Sequence, residues 1–401
     1  MDPIKILNVT THLGGGLGTV ISTYIAQSEL EHSVLELEKS VNPCTDQFKL
    51  KVITLKDKKD LENIIKCYDV LLVHYYCHPL TAWALMEINR FSGNKVVVWC
   101  HNNGKDSLHP LPDNLNKITD LVILSGCKDA RFNECEIIRP SALMTFLNEA
   151  ANCLSKADKN KSPSFRYIGS LDKSKIHDCA VEWFSYLSEN WRFDIATLDL
   201  DHHNFSKFKV LTGETKRSSL YERYFCLVYP LKENHYGCGE LGLQELLMLG
   251  YPVIIRRNSV EIEIVEELAG VYFADSLDEL SLACSEIAGK WNSLVENWEA
   301  RSEYNIKKIN LRKPYHNLDL QLLNIYKRES LRKRNVQKAD SLDLVKFAYN
   351  QKTDEDLKTF LFLWNKTGFA KIPNKSSPAQ FVKYFPDLKD VPIFNEVLQQ
   401  S

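Results

Sequence analysis

Short runs of β-branched and aromatic residues recur along the chain at helix-length intervals, and no other feature narrows the choice of fold as far. In the first half they are IKILNVT (4–10), LKVITL (50–55), DVLLVHYY (69–76), KVVVWCH (95–101), DLVILSG (120–126) and CEIIRP (135–140). Their apolar character is continuous rather than alternating, which suits strands buried on both faces of a parallel sheet. Segments between them, such as GTVISTYIAQSELE and PLTAWALMEINRF, carry helical periodicity. The order is βαβα, an open doubly wound sheet.

From about residue 150 to 164 the composition turns polar and strand-free (ANCLSKADKNKSPS), which reads as a linker. A second series then begins with FRYIGSL (165–171), FDIATLDL (193–200), FKVLT (208–212), YFCLVYP (224–230), YPVIIRR (251–257) and GVYFA (270–274). The expected architecture is α/β, with two doubly wound Rossmann-like domains facing a central cleft, the default ligand site. Residues 1–150 and 165–325 would be the two domains, and 326–401 a helical extension with no assigned place. No internal repeat or low-complexity tract is evident.

A chain of 401 residues with a formal net charge of −2 lacks the basic footprint of a nucleic-acid binder. Its 11 cysteines form no CxxC pair and no metal-ligand spacing, which points to reduced thiols. MDPIKILNVTT has no basic segment followed by an apolar core, and no apolar run approaches the length of a membrane span. A cytoplasmic protein is expected. The basic run 326–338 could touch an anionic membrane surface at its inner face, though a solvated helix face is the blander account.

Chemistry concentrates at the glycine turns. THLGGGLGTV (11–20) follows the first strand and opens a helix, so Gly15 and Gly16 would let backbone amides approach an anion or a sugar. It lacks the GxGxxG spacing, and no acidic residue closes the second apolar run; a turn needed only for tight packing is the alternative. FRYIGSLDKSK (165–175) reads as a strand, a glycine turn at Gly169 and Ser170, and Lys175 at the start of a helix. VLTGE puts Gly213 after another strand. In CLVYPLKENHYGCGELGLQELLMLGYPVI, Leu243, Leu246, Leu247 and Gly250 mark a core-facing helix stripe. Gly237 and Gly239 keep the preceding loop open, and Glu245 lies off that stripe.

In order and spacing these motifs resemble the GT-B glycosyltransferases, specifically the retaining family 4 type. GSLDKSK, GCGELGLQELLMLGYPVI and NSVEIEIV fall in the family's order, and Gly250 to Val265 matches without a gap, placing Glu263 on the glutamate of the PEIV motif. GGGLGTVISTYIA, VVVWCHN and TDLVILSG resemble its first half, and the likeness covers roughly residues 4–325. The resemblance implies that Lys175 binds the donor pyrophosphate and Glu245 the ribose. Amides from Gly239 to Leu241 would face the phosphates, and His101 would lie near the donor sugar. A strand-end histidine bonded to a neighbouring carbonyl is the alternative for His101.

Three departures stand out. Ser170 replaces the family arginine, Gly237 (or Tyr236, with a one-residue loop insertion) replaces the first paired glutamate, and Ser259 and Val260 replace two glycines. Glu233 or Glu240 could supply the carboxylate; Arg139, Arg256 or Arg257 could supply the cation. The resemblance implies a metal-independent transfer without a protein nucleophile or cofactor. A hexose would pass from a UDP- or GDP-linked donor to a glycan or lipid-linked acceptor, as in polysaccharide biosynthesis. His101, Glu240 and Lys175 would be the catalytic set. A degenerate binder of a glycan or partner, or a nucleotide-sugar epimerase, is the competing expectation. Asp199 and Asp201 mimic a DxD metal motif, for which a solvated turn is the blander account.

Overall fold

VLLVHY and KVVVWC are almost wholly buried, as strands covered on both faces must be. In the computed structural model they lie at the centre of a sheet. The structure describes residues 3–40, 50–91, 93–126, 129, 131–132, 135–141, 144–155, 162–171, 175–197, 205, 207–211, 223–235, 237, 240–329, 339–366 and 376–399. The chain divides into two units, Met1–Pro140 with Pro314–Ser401, and Ser141–Lys313.

The first unit opens with β1 (Lys5–Thr10), α1 (Gly15–Gln27), β2 (Glu31–Glu36), β3 (Val52–Thr54) and α2 (Leu61–Ile65). It continues with β4 (Val70–Tyr75), α3 (Pro79–Phe91), β5 (Lys95–Cys100), α4 (Leu115–Ile118), β6 (Leu121–Leu124) and β7 (Cys135–Ile137). The seven strands among the described residues are parallel, in the order β3-β2-β1-β4-β5-β6-β7. One strand escaped the sequence reading. The helical periodicity of GTVISTYIAQSELE runs on to Glu31, yet α1 stops at Gln27, and EHSVLE, absent from the apolar runs, forms β2 at Glu31–Glu36. Its polar first half hides the apolar run. The true second strand therefore does end in an acid, Glu36, contrary to expectation.

The second unit holds α5 (Met144–Ser155), β8 (Ser164–Ile168), α6 (Ala180–Asn190), β9 (Arg192–Ala196), β10 (Val210–Leu211), β11 (Cys226–Tyr229), α7 (Leu241–Met248) and β12 (Val253–Ile255). After these come α8 (Ser259–Val265), β13 (Val271–Phe273), α9 (Leu277–Gly289), α10 (Trp291–Glu296) and α11 (Trp298–Leu311). Its six described strands are also parallel, ordered β10-β9-β8-β11-β12-β13. Both sheets are doubly wound, as the sequence predicts. The order reverses between β1 and β4 in one and between β8 and β11 in the other. Ligands of such sheets bind beyond the strands' carboxyl ends at that reversal.

The chain then returns to the first unit as α12 (Pro314–Lys327), α13 (Ser341–Ala348), α14 (Asp354–Lys366), α15 (Pro378–Tyr384) and α16 (Pro392–Gln399). Capping fixes the starts of two of these helices: Asp340 and Asp343 form a reciprocal box at α13, and Ser377 caps α15 with Pro378 at its first position. The C-terminal helices are not an appendage. Leu344, Phe347, Tyr349, Phe360, Trp364, Phe381 and Phe394 share one core cluster with Leu80, Trp83 and Ile88 of α3. Each such buried side chain contributes roughly 1.5–3 kcal/mol. Cys67, Cys77, Cys100, Cys135, Cys179, Cys226 and Cys284 are free, and no described helix is long and apolar enough to cross a membrane. Residues 330–338 of the basic run fall outside the described residues.

Candidate functional site

In the second unit the turn after β8 and the loop after β11 meet at the point where strand order reverses. Gly169 has φ +151°, and a Cβ there would lie 2.9 Å from the Tyr167 hydroxyl. That hydroxyl donates to the Ser170 carbonyl at 2.5 Å. Lys175 does not start a helix, as the sequence reading had it, because α6 begins at Ala180. It sits instead in a short segment laid against the β11 loop, its carbonyl accepting from Lys232 N at 2.9 Å while Ile176 bridges Leu231.

This pairing brings Lys175 to Glu240, 65 positions further on. Lys175 Nζ donates to Glu240 Oε2 at 2.9 Å, and the same oxygen accepts from the Tyr229 hydroxyl at 2.5 Å. Glu240 occupies the N-cap position of α7, yet its side chain caps no helix amide. Burial works against the carboxylate's charge. The Lys175 ammonium, the His235 ring and the two hydrogen bonds outweigh it, so the group is held below its usual pKa.

Gly237 leaves room for the Glu240 carboxylate. A Cβ on Gly237 would lie 2.3 Å from Glu240 Oε1 and 3.1 Å from His235 Nδ1. The Glu240 carboxylate therefore occupies the space that any side chain at position 237 would need. Of the two carboxylates considered from sequence, Glu240 joins Lys175, whereas Glu233 is exposed. Arg257 is exposed and paired with Asp275 and Glu279, and Arg256 Nε is 3.9 Å from Asp275.

His235 was not singled out from the sequence. It is fully buried, accepts from Gly237 N on Nδ1 at 3.1 Å and so donates from Nε2 to Glu261 Oε1 at 3.1 Å. Ligand atoms of His235, Glu240 and Glu261 fall within 4.8 Å of one another. Both ring nitrogens are already engaged, so the trio acts first as an internal brace for the loop. Leu241 opens α7 and Glu245 is buried in the middle of it. Gly213, Gly239, Tyr236 and the Asp199–Asp201 pair lie outside the described residues.

In the first unit, the glycine run divides by role. Gly18 is dictated by packing, since a Cβ would lie 1.9 Å from the Leu13 carbonyl oxygen. Gly15 adopts φ +61°, and a Cβ on either Gly15 or Gly16 would meet nothing within 4 Å. Packing thus accounts for Gly18 but not for Gly16. Glu36 ties the loop down by accepting from Leu13 N at 3.1 Å. His101 follows β5 at its carboxyl end. Its bonded partner is His74 rather than a carbonyl, with Nε2 2.9 Å from His74 Nδ1 and the rings stacked. Burial lowers the His101 pKa to about 3.

Two doubly wound parallel units with this strand order and a helical C-terminal part define the GT-B fold. Solved structures that share it include a glycosyltransferase from Rickettsia africae, with a TM-score of 0.57 and 14% identity over 82% of this chain and 98% of that one. Sucrose-phosphate synthase from Thermosynechococcus elongatus gives 0.56 at 12% identity, covering 80% and 99%. Anabaena Alr3699/HepE in complex with UDP-glucose gives 0.57 at 11% identity, covering 80% and 98%. No protein-family model matches the chain, and no curated protein matches its sequence.

Proposed function

We propose that this protein is a glycosyltransferase of the retaining family 4 kind. It takes a nucleotide diphosphate sugar, UDP- or GDP-linked, and passes a hexose to a glycan or lipid-linked acceptor. The observation that carries this reading is the Lys175–Glu240 pair at the strand-order reversal, with the Glu240 carboxylate in the space beside Gly237. Lys175 would stabilise the departing diphosphate, and Glu240 would accept hydrogen bonds from the sugar. Glu245 would hold the ribose and the start of α7 the phosphates. Catalysis by positioning and charge needs no protein nucleophile and, in this reading, no metal. The fold shared with Anabaena HepE, solved with UDP and with UDP-glucose, supports a nucleotide-sugar donor.

Titration with UDP-, GDP- and ADP-sugars, followed by thermal unfolding, tests the donor. A ligand at 100 times its Kd adds about 2.7 kcal/mol to stability. Lys175→Ala should lose that gain and the transfer activity together. If no nucleotide sugar moves the melting curve, the reading fails. Ser170 in place of the family arginine, with Ser259 and Val260 in place of two glycines, favours a second reading, a non-catalytic binder on the same fold. Donor hydrolysis or transfer by the wild type, abolished by Lys175→Ala, would dispose of it.

A further inference from the structure

A row of polar side chains crosses one face of the first unit's sheet. Ile6 pairs with His32, Asn8 with Leu72, and His74 with Trp99. Side chains alternate along a strand, so His32, Asn8, His74 and His101 all project from the same face of β2, β1, β4 and the end of β5. They touch in that order. His101 Nε2 is 2.9 Å from His74 Nδ1, and His74 Nε2 is 3.1 Å from Asn8 Oδ1. Asn8 Nδ2 is 3.0 Å from His32 Nδ1 and 3.2 Å from the Ser33 carbonyl. His32 Nε2 is 2.7 Å from Ser28 Oγ, which donates to Asp319 Oδ1 at 2.7 Å.

The row has one self-consistent direction. The Ser33 carbonyl can only accept, so Asn8 must turn its amide nitrogen toward β2 and its oxygen toward His74. His74 then donates from Nε2 and accepts at Nδ1, which obliges His101 to donate from Nε2. On the other side His32 accepts at Nδ1, donates to Ser28, and the series ends on the Asp319 carboxylate. The bookkeeping requires one proton per ring. Burial supplies that condition, holding His32 at about 4, His101 at about 3 and His74 well below its usual value.

We propose that Asn8 and His74 are positioning residues that lock His101 in its Nε2–H tautomer, so that Nδ1 presents an unprotonated lone pair to a substrate hydroxyl. Nδ1 has no hydrogen-bond partner among the described residues. A ring so reluctant to take a proton is a poor general base and serves as a hydrogen-bond acceptor for a sugar or acceptor alcohol. The lock itself is a property of the ligand-free protein; only what Nδ1 meets rests on the glycosyltransferase reading.

Two-bond proton–nitrogen correlation spectra of the full chain labelled with 15N-histidine read the tautomer directly, with His101→Phe assigning the signal. The wild type should show one Nε2–H form for each of His101, His74 and His32. Asn8→Leu and His74→Leu should release His101 into both tautomers. His74→Gln, whose amide again accepts from one side and donates to the other, should restore the single form. A wild-type His101 found as Nδ1–H or as a mixture overturns the proposal, whether or not the variants fold. So does a folded Asn8→Leu protein with the tautomer unchanged. Failure of the donor reading shows separately, as the absence of any nucleotide-sugar effect on melting.

Discussion

At Gly237 a single missing side chain makes room for a carboxylate that comes from three residues away. Adding even a methyl group there must push Glu240 off Lys175 and Tyr229. Gly237→Ala should cost about 1–3 kcal/mol in denaturant unfolding, the usual range for overpacking. The cost should shrink when Glu240→Ala is also present, with a coupling of at least about 0.5 kcal/mol between the two changes. Strict additivity in that double-mutant cycle would mean the two positions do not compete for one space. Residue-level legibility was uneven. Glu240 and Lys175 could be named from sequence because each sits in a recognisable glycine turn, but their contact depends on a strand-to-loop pairing that no local pattern encodes. Tyr229 and His235 were missed for the same reason. Asn8 and His74 did leave a mark, a polar residue inside an otherwise apolar strand (ILNVT, LLVHYY), and it went unread.

Strands and helices were the most legible level, since twelve of the thirteen strands among the described residues fall on apolar runs visible in the sequence. The exception, β2, pairs with both β1 and β3 and carries His32, so losing it hid the histidine row as well. That row has an energetic consequence for its sheet. Burial depresses the pKa of His32 and His101 in the folded state, to about 4 and 3. The unfolded chain takes up these protons first, near the ordinary histidine value of about 6.5. Their contribution to stability is therefore complete above that pH and is lost as pH falls from about 6.5 towards 4 and below. Hydrogen exchange of β4 and β5 between pH 7.5 and 4.5, corrected for intrinsic rates, should show protection falling with acidity. Protection that stays level across that range would contradict these depressed values.

Over the whole molecule, the two-unit plan was readable because a polar segment separates two βα series. The destination of the last seventy residues was not. Helical periodicity says which face of α13 to α16 is apolar but not what covers it, and the answer is a core begun more than 250 positions earlier. This discontinuity matters while the protein is being made. A ribosome delivers residues 1–140 first, then the whole of 141–313, and only afterwards the helices that complete the first unit. At roughly 5–20 residues per second the opening segment waits on the order of 10–50 s with the apolar flank of α3 uncovered. The middle of the chain should therefore finish folding before the beginning. Nascent chains arrested after residue 330 and exposed to protease should keep 141–313 and lose 1–140; equal survival of both would contradict this. The newborn protein spends that interval as a finished insert inside an unfinished host, which is when a chaperone would have most to do.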